Sequence, residues 1–176
     1  WLAAQAAEAI RSFAANGRPW HVRVDYTDPH LPCDVSEPFY SQYEHTDLPP
    51  WGGFGDPLTE KPYIQRQQLL NWDLEGMTWQ DWLPCVRRYY GMVSQIDDSI
   101  GLLLAALEAS GSLEDTVILY TSDHGDTCGS RGMLDKHYIL YDDVVKVPLI
   151  LAGPGICPGK TPDALVSVGL DLAPTV

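Results

Sequence analysis

A chain of 176 residues with 45% apolar side chains fits one domain that can bury its own core, and its composition is not that of a disordered protein. The formal net charge of -13 argues against binding to nucleic acid or to an anionic membrane, both of which need basic surface. An anionic substrate would therefore require a local positive patch.

The chain opens on Trp1 without the charged start and apolar core of a signal peptide, and no apolar run reaches transmembrane length. This opening is what a start inside a larger protein would look like; compartment and oligomeric state cannot be read from the sequence. Leu2 to Phe13 is rich in alanine and stops at Asn16-Gly17, which predicts a helix. After Pro19, Trp20, Val22, Val24 and Tyr26 alternate with His21, Arg23 and Asp25, the pattern of a strand with one polar face. That strand runs out into Asp28-Pro29-His30-Leu31-Pro32. From Cys33 to about Tyr63 the density of Pro and Gly predicts a long excursion packed by aromatics. It either shapes a pocket or is a surface insertion.

A short helix is expected from Tyr63 to Trp72. From about Leu83 to Ala109, Tyr89, Val93, Ile96, Ile100, Leu103 and Leu107 mark one face of a long helix that ends at Gly111. Asp97 and Asp98 within it read as a solvated face. The β-branched, apolar run Thr116 to Tyr120 then reads as a buried parallel strand, and Val147 to Ala152 as a further buried strand, with a short helix at 137–144 between them. Helix, turn and strand in that order form half of a parallel βαβ unit. Val166 to Val176 begins another element.

The chemistry concentrates where the first of these strands ends, in Ser122-Asp123-His124-Gly125. Open α/β sheets hold their ligands outside the carboxyl ends of strands, so Asp123 and His124 side by side form a candidate metal pair. Asp-His-Gly alone can equally cap a strand or start a turn. Lys136, thirteen residues after Asp123, is either an ordinary surface lysine or a point cation beside the metal. His30, between two prolines at another strand end, is either a loop histidine or part of the same site. His21, His45 and His137 have no supporting context.

Tyr89-Tyr-Gly-Met-Val-Ser-Gln-Ile-Asp-Asp98, Thr121-Ser-Asp-His-Gly125, Lys136, Val147-Pro-Leu-Ile150 and Gly153-Pro-Gly155 together resemble the later half of a sulfatase catalytic domain, in the alkaline phosphatase superfamily. Asp28-Pro-His-Leu-Pro32 and Val168-Gly-Leu-Asp-Leu-Ala-Pro-Thr175 look like further landmarks of that family. The resemblance implies an α/β fold with a mostly parallel sheet flanked by helices, alkaline phosphatase-like and incomplete, with 1–176 a partial catalytic domain. It implies a sulfuric ester hydrolase acting on a small anionic ester. Asp123 and His124 would hold a divalent cation, Lys136 would contact the sulfate, and His30 would lie near the sulfate and leaving group. Calcium is the expected ion, although the imidazole leaves room for manganese or another softer one. Arg131 departs from the pattern, since many relatives carry His there.

Two features of the family are missing. Sulfatases use a formylglycine made from Cys or Ser in a Cys-x-Pro-x-Arg context, and Cys33, Cys85, Cys128 and Cys157 all lack it. The paired early aspartates that complete the metal shell are absent too, as is the C-terminal subdomain. The nucleophile is therefore expected on sequence outside 1–176, and this stretch alone is expected to be inactive. A phosphonate monoester or phosphodiester hydrolase of the same superfamily is the rival enzyme, and a non-catalytic remnant of the fold the rival of another class. Ser122 and Ser130 both lack the glycine of a nucleophile elbow, which sets a serine hydrolase aside.

Overall fold

The computed structural model describes residues 1–160 and 165–175. Helix α1 (Leu2–Ala15) buries Ala3, Ala6, Ala7 and Ile10, at i, i+3, i+4 and i+7, which lays one narrow alanine face on its neighbour. It ends where Gly17 takes a left-handed φ of 61° and Asn16 Nδ2 donates to Ser12 O at 3.0 Å. The neighbour is the long helix Trp79–Ala109, which starts ahead of the expected Leu83. Asp81 Oδ2 accepts from the backbone N (2.8 Å) and Oγ1 (2.7 Å) of Thr78, fixing the first turn. Pro84 lies early in this helix, so it masks the true start in the sequence without ending the element.

Between them run two short helices, α2 (Phe39–Gln42) and α3 (Tyr63–Asn71), and the long helix is α4. Ala7 and Ile10 of α1 close one core against Ala106 and Leu107 near the end of α4. A second core forms around Trp82, Val86, Leu74 and Cys128, with Trp51, Phe54 and Trp79 packed on it. Trp79 meets Trp51 and Phe54 edge-on at 5.7 and 5.2 Å, so the Pro- and Gly-rich excursion is held to the start of α4 by aromatic contacts, as its composition predicts.

Two expectations are corrected. The burial of residues 20–26 alternates as expected, but they form no strand and none pairs with them among the described residues. The strands that do form, β1 (Ile118–Thr121) and β2 (Leu149–Ala152), are antiparallel, with Ile118 opposite Ala152 and Thr121 opposite Leu149. The segment between them contains no long helix to carry the chain across the sheet; it folds back on itself. Gly125 N donates to Val144 O at 2.8 Å and Thr121 Oγ1 to Pro148 O at 2.9 Å, which brings β2 in beside the end of β1. A Cβ on Gly125 would run into the Asp143 carbonyl oxygen, so this glycine is required for close backbone approach.

The helix expected over 137–144 shrinks to α5 (Asp142–Val145), because Asp135 and Tyr138 adopt left-handed φ of 72° and 62° that no helix continues through. Leu172–Thr175 forms α6; Val176 lies outside the described residues. Among the described residues no helix is long and apolar enough to cross a membrane.

Candidate active site

At the end of β1 the chain turns on its own side chains. Ser122 Oγ donates to His124 O at 2.8 Å, and His124 N donates to Asp123 Oδ1 at 2.9 Å. Asp123 Oδ2 remains, 3.6 Å from His124 Nε2, and the Asp123 side chain is 84% exposed. His124 Nδ1 lies 2.9 Å from Gly125 O, a contact that needs the proton on Nδ1 and so turns the Nε2 lone pair outward, the arrangement of a metal-binding imidazole. One carboxylate oxygen and one imidazole nitrogen thus face the same space. Among the described residues no group of three or more His, Cys, Asp or Glu could hold an ion, so this pair amounts to part of a shell.

His30 and Lys136 come together across 106 residues of sequence: Lys136 Nζ donates to His30 Nε2, while His30 Nδ1 faces Leu31 O at 2.7 Å. With Lys136 donating, His30 Nε2 accepts and Nδ1 is the ring nitrogen that faces Leu31 O. Each partner is held from behind. The turn before His30 closes with His30 N donating to Thr27 O at 3.0 Å, and Gln95 of α4 reaches Asp28 Oδ2 at 3.3 Å.

Lys136 Nζ is 2.9 Å from Asp135 Oδ1, and His137 Nδ1 is 2.8 Å from Asp135 Oδ2. Thr127 Oγ1 donates to the Asp135 carbonyl at 2.7 Å, fixing that backbone. Burial works against charge on Asp135, but hydrogen bonds from the Lys136 side chain and backbone, with His137 nearby, hold its carboxyl below the usual range.

Asp135 is the residue that motif reading missed, and His137, set aside in the sequence, shares its carboxylate. An acid immediately before the Lys-His dipeptide was the only available signal. The other unanticipated carboxylate, Asp126, accepts from Cys128 N at 2.8 Å, and burial pushes its pKa up. Arg131 packs its guanidinium 3.8 Å from the Tyr141 ring centroid and bonds Asp143 Oδ2 at 2.8 Å, so it clamps the loop after the site. Among the described residues no hydrogen bond or ion pair joins Asp123 or His124 to His30 or Lys136.

The family model described as Sulfatase matches residues 2–176. The chain belongs to the sulfatase family. It is 35% identical over 164 residues to a choline-sulfatase of Rhizobium meliloti (strain 1021), covering 90% of this chain and 31% of that protein. An N-acetylglucosamine-6-sulfatase of Bos taurus is 29% identical over 165 residues, covering 93% of this chain and 29% of that protein. Among solved structures, a phosphonate monoester hydrolase from Silicibacter pomeroyi superposes with a TM-score of 0.69 at 27% identity, over 88% of this chain and 33% of that one.

This sulfatase chain therefore shares the alkaline phosphatase-like fold of its relatives, and it spans about a third of their length or less. Cys33 and Cys85 lie 3.5 Å apart at their sulfurs with free thiols, away from any Cys-x-Pro-x-Arg context.

Proposed function

We propose that the whole protein hydrolyses a sulfate monoester, with Lys136 and His30 at the sulfate and Asp123 and His124 as part of a divalent metal site. The observation that carries this reading is the contact of His30 with Lys136, two distant motif residues of a sulfatase chain held together by Asp135 and the Gln95 anchor. Lys136 binds a sulfate oxygen and offsets charge that grows on the transferred group as the ester bond breaks. Its side chain is only 16% exposed and tied to Asp135, so little reorganisation is needed when the substrate arrives.

His30, beside the lysine ammonium, lies where the leaving oxygen must gain a proton; the Lys136 Nζ–His30 Nε2 hydrogen bond gives that proton a route. A divalent ion, calcium by family resemblance or manganese given the imidazole, would supply Lewis-acid polarisation with its remaining ligands from elsewhere in the protein. The nucleophile, a formylglycine, also belongs outside 1–176. The partner is a small anionic ester; the overall charge of -13 disfavours nucleic acid and anionic membrane.

In the whole protein β1, β2 and the extended 20–26 segment join a mostly parallel sheet. The exposed apolar residues Val117, Leu119 and Ile150 (47%, 36% and 58%) support this, because they leave the pair without a covering layer. The superposition on phosphonate monoester hydrolases favours one second reading, a phosphonate ester as substrate.

Turnover of an aryl sulfate against an aryl phosphonate monoester by the whole protein decides between them. A higher kcat/KM for the sulfate is expected. Preference for the phosphonate would move the protein to the second reading, and turnover of neither would leave a remnant of the fold.

A further inference from the structure

Two thiols outside the candidate site meet between a loop and a helix. Cys33 and Cys85 are 52 positions apart in sequence, yet their sulfurs are in contact at 3.5 Å and both thiols are free. Cys85 lies in the second turn of α4, and Cys33 opens the Pro- and Gly-rich excursion, three residues after His30. A third thiol, that of Cys128, also hydrogen-bonds to Cys85. Thiols already in contact need only a small approach to bond.

Cys85 has two neighbours, and their surroundings choose between them. Cys128 is 5% exposed and packed with Trp82, Val86 and Leu74. Its backbone is held as well, the N donating to Asp126 Oδ1 and the O accepting from Trp51 Nε1, both at 2.8 Å. Moving that thiol would disturb a close-packed core. Cys33 lies instead in a loop, where it lines an open cavity of about 550 Å³ together with Tyr40, Arg88 and Gln95. A small oxidant can reach it there.

The span that a Cys33 to Cys85 bond would close is poor in regular structure. Between Cys33 and Tyr63 the only helix is the four-residue α2. Side chains of α4 hold the segment instead: Ser36 Oγ donates to Gln95 Oε1 at 2.8 Å, Gln95 Nε2 donates to Asp28 Oδ2 at 3.3 Å, and Trp79 packs on Trp51 and Phe54. Ordering so irregular a segment costs conformational entropy, and a cross-link offsets part of it by restricting the unfolded chain. Contact with Cys85, and then burial, pushes the Cys33 thiol up, while contact with Cys128, together with burial, pushes Cys85 up to about 12. Thiolate is therefore scarce on both. That is the behaviour of a bond made once during folding, not of a fast redox sensor.

We infer that Cys33 and Cys85 form a structural disulfide when the whole protein folds in the presence of a small-molecule disulfide such as oxidised glutathione, stapling the start of the excursion and the adjoining His30 segment to α4. The Cys33 thiolate attacks one sulfur of the small disulfide and releases one small thiol. The Cys85 thiolate then attacks the Cys33 sulfur and releases the second. The protein thiols give up two electrons, the small disulfide is reduced, and the two protons end on the released thiols.

The test equilibrates the whole protein in a mixture of oxidised and reduced glutathione, alkylates it in denaturant and maps its peptides without reduction. One peptide pair joined through Cys33 and Cys85 is expected, with Cys128 alkylated. The oxidised wild type should melt about 3 °C or more above oxidised Cys33→Ala, and dithiothreitol should close that gap. Alkylation of both Cys33 and Cys85, or a link from Cys85 to Cys128, overturns the inference. Equal melting in the oxidised state, or a gap that persists under dithiothreitol, overturns the stapling role.

Discussion

The two halves of the candidate site are built in opposite ways. Asp123 and His124 are neighbours in sequence, bonded only to their own turn, with the carboxylate 84% exposed. His30 and Lys136 are far apart in sequence and meet inside a network that includes Asp135, Thr127, Asp28 and Gln95. On the proposed reading, the open half is the one that needs ligands from outside this stretch. In the other half Lys136 and Asp135 are largely covered while His30 faces solvent; on the proposed reading this half needs only a substrate.

The largest effect should come from the open half. Asp123→Asn is expected to abolish metal uptake by the whole protein, read as metal content after dialysis, and to lower sulfate-ester turnover by more than about a thousandfold. Exhaustive chelation of the wild type should reproduce that loss, with recovery on adding calcium or manganese. In the enclosed half, Asp135→Asn frees Lys136 from its anchor and should lower kcat by roughly ten- to a hundredfold with metal content unchanged, by analogy with the loss of other orienting hydrogen bonds.

The same residue predicts a pH dependence of stability. Its folded pKa is depressed, so its contribution is present above the unfolded value, about 4, and is lost as pH falls through the lower folded value. Thermal melts of the wild type from pH 6 to 2 should therefore steepen below about pH 4, and Asp135→Asn should flatten that limb. The smallest effect is reserved for a residue in neither half: Thr78→Ala removes the cap of α4 and should cost about 1 kcal/mol in denaturant unfolding without changing metal content.

Periodicity made the two main helices legible, because alanine at three-four spacing and the Tyr89-to-Leu107 stripe each specify one buried face. It could not give strand direction. The runs Thr116 to Tyr120 and Val147 to Ala152 read the same whether their pairing is parallel or antiparallel, and that choice was made by the loop packed through Gly125 and Val144.

The site divided along the same line. Asp123, His124, Lys136 and His30 are proposed on motif spacing and family resemblance. Asp135 and Asp126 are not, because burial and long-range contact confer their importance and neither has a local signature. The constraint on Gly125, the nearby Asp143 carbonyl, is likewise a tertiary one.

The most direct test of the central claim is the kcat of the whole protein on an aryl sulfate with Lys136 replaced by alanine and, separately, by arginine. The enclosed, pre-positioned ammonium predicts a loss of about a hundred- to a thousandfold in Lys136→Ala, with metal content unchanged and partial recovery in Lys136→Arg. Undiminished turnover in Lys136→Ala would contradict the account.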